Sequence, residues 1–172
     1  MLFNISRDTE KRQLRAYVGP LMQSSEIKNS AVSATVSFEN FGETPARNCS
    51  VTSHFDILPF PLPKGFIFKI PDRVPYQFKQ TAMIYPKASI PKAIEPTRTF
   101  TASELVEVTA PNTQRAVYFF GIFTYTDVFD AIHSTKFCYY LNPYGITVVS
   151  KNKSGIVGTY KWTECDQYND FD

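Results

Sequence analysis

The run from Ala116 to Thr126, AVYFFGIFTYT, is apolar on both faces of an extended chain. Tyr118, Phe120 and Ile122 point one way, while Val117, Phe119, Phe123 and Tyr125 point the other. A strand of this kind has no side to offer to water, so the chain has to supply cover on each of its faces. A single sheet with one solvated face is thereby excluded, and at least two layers around a central strand are required. Gly121, in the middle of the run, marks a bulge or a close backbone approach.

The rest of the chain supplies partners of the same type. Ala31 to Glu39 alternates, with Val32, Ala34, Val36 and Phe38 on one side and Ser33, Thr35, Ser37 and Glu39 on the other. Cys49, Val51, Phe55 and Ile57 repeat the pattern against Asn48, Ser50, Thr52, His54 and Asp56. The NFGETPA segment between them reads as a turn, with Gly42 able to take a positive φ and Pro45 ending the irregular stretch. Thr135 to Leu141 pairs with the central strand as a long hairpin. The sequences NPYG (142–145) and NKSG (152–155) are turn signals bracketing a short strand from Ile146 to Ser150, and a last strand at 156–163 carries Trp162. Helical signals are confined to Glu10–Ala16 and Ser103–Val108, the second capped by Ser103.

With 172 residues there is room for one core of this kind. The expected fold is all-β: an antiparallel, immunoglobulin-like β-sandwich with one or two short helical turns. Residues 1–15 form a linker or juxtamembrane helical segment, and residues 16–172 form a single sandwich domain.

Charge is unevenly placed. The formal net charge is only +2, too mild to imply a nucleic-acid or membrane partner from the global balance alone. Yet eight of the twelve prolines fall between Pro59 and Pro96, a stretch that also carries Lys64, Lys69, Arg73, Lys79, Lys87 and Lys92. Long helices and central strands are excluded there, and short edge strands at Phe66–Ile70 and Gln80–Ile84 are expected. Aromatic residues interleaved with cations can grip nucleic acid, anionic lipid or an acidic protein surface, so Lys64, Phe66, Lys69, Arg73 and Lys79 are the candidate binding residues, with a protein or other acidic surface the expected partner. The competing reading is that Lys and Pro protect sheet edges while the aromatics cap the core.

Catalytic and metal signatures are sparse. Asp127 and His133 flank a hairpin tip, with Tyr125, Thr135 and Cys138 near them along the two strands. An Asp that orients a His beside a Cys nucleophile is the outline of a small hydrolytic or ligand-binding site. The plainer reading is an Asp that binds turn amides and a Cys that packs. His54 and His133 are the only histidines, and no metal-ligand spacing is present, so neither metal nor cofactor is expected. Phosphate-loop, dinucleotide, zinc-protease and serine-hydrolase motifs are all absent. Cys49, Cys138 and Cys165 form an odd set with no CxxC pair, for which a reducing compartment is the simplest home. One bridge, Cys138 to Cys165, stays open.

Four blocks carry a family resemblance: RQLRAYVG at Arg12 to Gly19, NFGETPARN at Asn40 to Asn48, GIFTYTDVFDAIHSTKFCY at Gly121 to Tyr139, and CDQYND at Cys165 to Asp170. In this order and over most of the chain they resemble a set of uncharacterised bacterial proteins built from an N-terminal transmembrane helix, a short linker and a C-terminal β-sandwich. The NxGxxxA turn is also similar to that of bacterial immunoglobulin-like, adhesion-related modules. The resemblance implies a sandwich, a missing N-terminal membrane anchor and a bacterial inner-membrane location, and it implies no activity. Arg7, Lys11, Arg12 and Arg15 after a short apolar start suit a positive cytoplasmic flank. The function expected is therefore a non-catalytic interaction or sensing module on the cytoplasmic face. The alternatives are the site around residues 127–138 and a purely structural spacer.

Overall fold

The computed structural model describes residues 9–28, 31–70, 78–79, 82–94, 99–108, 110, 112–152 and 155–171. Within them the chain is mostly antiparallel β, in the order β1 (Val18–Lys28), β2 (Ala31–Asn40), β3 (Arg47–Pro59), β4 (Phe78–Lys79), β5 (Ser89–Ile94), β6 (Arg115–Thr126), β7 (Ile132–Asn152), β8 (Gly155–Glu164) and β9 (Asp170–Phe171). Helix is limited to residues 9–14, here α1, and to α2 (Ala102–Val108).

The strands are joined in one hydrogen-bonded path, β4-β3-β6-β7-β8-β1-β2-β5, with β9 added to β7. The path doubles over into two layers. Phe38 of β2 stacks on Phe123 of β6 with ring centroids 4.6 Å apart, and it meets Phe137 of β7 edge-on at 5.8 Å. One apolar core results, drawing buried side chains from β1, β2, β3, β5, β6 and β7. The join between the layers is narrow: β1 meets β8 through Glu26↔Thr159 and Ile27↔Gly158.

β6 lies between β3 and β7 and is covered on both faces, as its double-sided apolar pattern requires. Val117, Phe119, Phe123 and Tyr125 enter the main core, whereas Tyr118 and Phe120 enter a second cluster with Phe68, Cys138 and Cys165. At Gly121 the close-approach reading holds. A β-carbon there would lie 2.4 Å from the carbonyl oxygen of Thr52 and 2.8 Å from the Cα of Ser53, so only glycine lets β3 run at this distance.

Several local expectations are corrected. NPYG is no turn; β7 continues through it as one strand, and the four residues are absorbed as a register shift between Leu141 and Ile146. A bulge takes up extra residues without ending the ladder. Helix α2 is capped by Thr101, not Ser103: the Glu104 amide donates to Thr101 Oγ1 (3.2 Å) and the Thr101 amide donates to Glu104 Oε2 (2.8 Å), a reciprocal capping box. Residues 66–70 form no strand. The proline-containing edge strand is instead β5, where Pro91 pairs with Ser37 at the end of the path. Ile84 makes a single bridge to Ala46, while Gln80 and Thr81 lie outside the described residues. No helix among the described residues is long and apolar enough to cross a membrane.

Candidate functional site

The NFGETPARN block determines how the start of the domain sits. Asn40 is fully buried, and its Oδ1 accepts the amides of Tyr17 (3.2 Å) and Gly42 (3.0 Å). Its Nδ2 donates to the carbonyls of Thr44 (2.8 Å) and Ile84 (3.0 Å). One amide side chain thus bonds four backbone groups, and the Ile84 carbonyl among them also accepts the Ala46 amide. The Phe41 amide adds a bond to the Tyr17 carbonyl at 2.7 Å. Residues 16–20 are also gripped by hydroxyls from the opposite layer: Tyr125 donates to the Ala16 carbonyl (2.9 Å), Thr135 to Val18 (2.6 Å) and Tyr139 to Pro20 (3.0 Å). Every second carbonyl is taken, because alternate carbonyls of an extended chain point to one side. With the chain fixed this way, α1 lies beside the β6–β7 hairpin tip, where Lys11 Nζ sits 5.6 Å from the ring centre of Phe129.

The tip is built around Asp127, which is 2% exposed. Its Oδ1 accepts the amides of Phe129 (2.8 Å) and Ala131 (3.0 Å), and its Oδ2 accepts Nε2–H of His133 (2.8 Å). Arg47 Nη2 closes the turn from outside, donating to the Asp127 carbonyl and to Asp130 Oδ1, the latter at 2.9 Å. Burial alone would raise the Asp127 pKa. The hydrogen bonds from His133 and from the Ala131 and Phe129 amides outweigh it and hold the carboxyl below its usual value.

With its Nε2 proton committed to Asp127, His133 presents Nδ1 as an acceptor, and Arg15 Nη1 stands 3.5 Å away, at the outer limit of a hydrogen bond. The Tyr125 ring lies 5.4 Å from the imidazole, and the Arg15 guanidinium covers the Tyr17 ring at 4.5 Å. Between α1 and the tip opens a cavity of about 280 Å³. Lys11, Arg12, Arg15 and His133 line it together with Phe129 and Ala131, and the one carboxylate at its wall is Asp127.

The structure therefore brings Asp127 and His133 together and removes the proposed nucleophile from their reach. Cys138 is bonded to Cys165, so no thiolate is available for the hydrolytic arrangement. The bridge that the sequence left open is formed, and the fully reduced reading is replaced; Cys49 alone is free, buried at 1% exposure. Burial raises its thiol pKa to about 11, partly opposed by the Ile84 backbone. Thr135 is likewise engaged, on the Val18 carbonyl. Among the described residues no group of three or more His, Cys, Asp or Glu side chains is placed to hold a metal ion.

The candidate binding residues of the proline-rich segment separate from one another. Phe66 is half-buried and packs edge-on against Phe68 at 5.1 Å, and Phe68 lies 4.6 Å from both Phe120 and Tyr168. These aromatics cap the outer face of β6, the competing expectation for the segment. Lys64 and Lys69 are exposed on either side of Ile67, which is 79% exposed. Lys79 pairs with Ser50 in β4, and Arg73 lies outside the described residues. A smaller hollow of about 150 Å³ lies beside this segment, between Pro61, Tyr118, Tyr140 and Gln167.

The basic cavity was not anticipated as a site. Its signal was present as Lys11, Arg12 and Arg15, since i and i+4 on a helical turn share a face. What the sequence lacked was the 118-residue jump from Arg15 to His133. No protein-family profile, curated protein or solved structure matches this chain.

Proposed function

We propose that the chain is the immunoglobulin-like recognition domain of a membrane-anchored bacterial protein, that it is non-catalytic, and that it holds an anion in the cavity between α1 and the β6–β7 tip. The observation that carries this reading is electrostatic. Lys11, Arg12 and Arg15 converge with His133 on one hollow, while the carboxylate at its wall is already saturated by two amides and an imidazole. Guanidinium groups gathered on one hollow suit phosphate or carboxylate oxygens, which accept several short, charge-assisted bonds at once. The same cations were read from sequence as a cytoplasmic flank; as ligand-holding groups they need not report membrane topology. The Cys138–Cys165 bridge then favours an oxidising compartment over the cytoplasmic face.

Titration with inorganic phosphate, followed by amide and imidazole NMR, tests the site. Shifts are expected at Lys11, Arg12, Ala131 and His133, and Arg12→Gln combined with Arg15→Gln should weaken binding about tenfold or more. Phosphate that moves none of these resonances would remove the reading.

A second reading rests on Ile67, exposed between Lys64 and Lys69: these three residues form a patch for an acidic protein. Reversing Lys64 and Lys69 together to Glu is expected to weaken capture of an acidic partner and to leave the melting temperature nearly unchanged. Undiminished capture excludes the patch.

A further inference from the structure

Ten large apolar side chains are exposed among the described residues, and three of them fall within five consecutive positions at the hairpin tip. Val128 is 38% exposed, Phe129 39% and Ile132 78%, and Leu14 on the adjoining α1 is 41% exposed. Isolated exposed apolar residues need no explanation, but a cluster at a protruding turn does. The tip is also held stiffly, by Asp127 from inside and Arg47 from outside. Its side chains are therefore displayed and do not collapse back onto the sheet.

Cations flank this apolar tip. Lys11 stacks over Phe129, and Arg12 and Arg15 open onto the same hollow. Of the acidic groups nearby, Asp130 is paired with Arg47 at 2.9 Å and the Asp127 carboxylate is turned onto the tip amides and His133, leaving Glu10 of α1 exposed against three cations. An apolar wedge bordered by Lys and Arg fits the boundary of an anionic bilayer, where acyl chains accept the wedge and headgroup phosphates accept the cations. A soluble anion would use the cavity and leave Val128 and Ile132 without a role.

We infer that this end of the domain docks on an anionic lipid surface, with Val128, Phe129 and Ile132 entering the acyl boundary and a headgroup phosphate seated among Lys11, Arg12 and Arg15. The inference rests on the anion site proposed above and names the source of the anion. Because two separate groups of side chains do the work, the two contributions can be removed one at a time.

The test is flotation of the purified protein with vesicles of phosphatidylglycerol and phosphatidylcholine in equal parts, with pure phosphatidylcholine vesicles and inorganic phosphate as the other arms. Binding is expected to the mixed vesicles and not to the neutral ones, and it should fall steeply as salt rises and screening shortens. Arg12→Gln should weaken it about fivefold. Val128→Ser with Ile132→Ser should weaken vesicle binding about tenfold through lost apolar burial, with phosphate affinity and melting temperature unchanged. Phosphate binding without vesicle binding, or vesicle binding indifferent to the tip variant, overturns the lipid inference and leaves the anion site standing. Binding to neither probe overturns both. Retention on immobilised polyglutamate, with the vesicles left unbound, assigns the surface to an acidic protein and likewise overturns the lipid inference.

Discussion

A β-carbon on Gly42 would lie 2.3 Å from the carbonyl oxygen of Arg15 and 2.7 Å from the Cα of Ala16. Both contacts are with backbone, so no rotamer change relieves them, and the exit of α1 would have to move away. Gly42→Ala is therefore expected to destabilise the domain by about 1–3 kcal/mol and to reduce phosphate binding at a site that Gly42 does not touch. Urea unfolding and the NMR titration check the two effects separately. Asp127 gives a pH dependence with a definite sign. Its folded pKa is depressed, so its contribution to stability is complete above the ordinary Asp range and is lost as pH falls through the lower native value. Asp127→Asn should lower stability at neutral pH and flatten the acid limb below about pH 4. Melting temperatures measured across that range decide it; an acid limb as steep as in the parent would mean that another carboxyl controls the loss.

Strands whose alternation or double-sided apolarity is strong were legible: β2, β3, β6 and the start of β7 lie where the pattern places them. β1 was not, because Pro20, Ser24 and Ser25 dilute its pattern. Its order comes from pairing with β2 and from the hydroxyls of Tyr125, Thr135 and Tyr139, and those long-range bonds leave no local trace. β9 escaped for the same reason, being two residues held on β7. The candidate site was half legible. Asp127 and His133 share a hairpin and could be read as a pair, while the cations that complete the cavity arrive from the far end of the chain. The tail before β9 depends on the Cys138–Cys165 bridge and on Asn169, whose side chain accepts the Cys138 amide and donates to the Cys165 carbonyl. Replacing both cysteines with Ala is expected to cost about 3 kcal/mol for a loop of this length. Hydrogen exchange should locate the loosening at residues 165–171, with the anion site unaffected; protection retained there would assign the order of the tail to Asn169 alone.

The two basic regions belong to different parts of the molecule. The segment from Phe60 to Ile70 leaves the β3–β6 ladder at the Pro59↔Arg115 end and folds back over the outer face of β6, whereas the cavity lies at the Arg47↔Thr126 end. One body can therefore carry a capped face and a displayed tip without either serving as the other's support. Because the two layers share one core and one strand path, they should unfold together. Trp162 reports on that core, packed edge-on against Phe55 at 6.0 Å and Phe119 at 6.4 Å. Its fluorescence and the far-ultraviolet dichroism are expected to trace the same denaturant midpoint. Two separated midpoints would mean that the layers come apart at the narrow β1–β8 join.

The grip on residues 16–20 also has a mechanical consequence. A pull applied ahead of Ala16 is met first by the Asn40 clasp and the Tyr125 hydroxyl, and only afterwards by the long β1–β2 ladder, which would have to slide along its length. Under load α1 would peel from the cavity while the sandwich stayed whole, so tension on the leading end of the chain would empty the anion seat before it unravelled the fold.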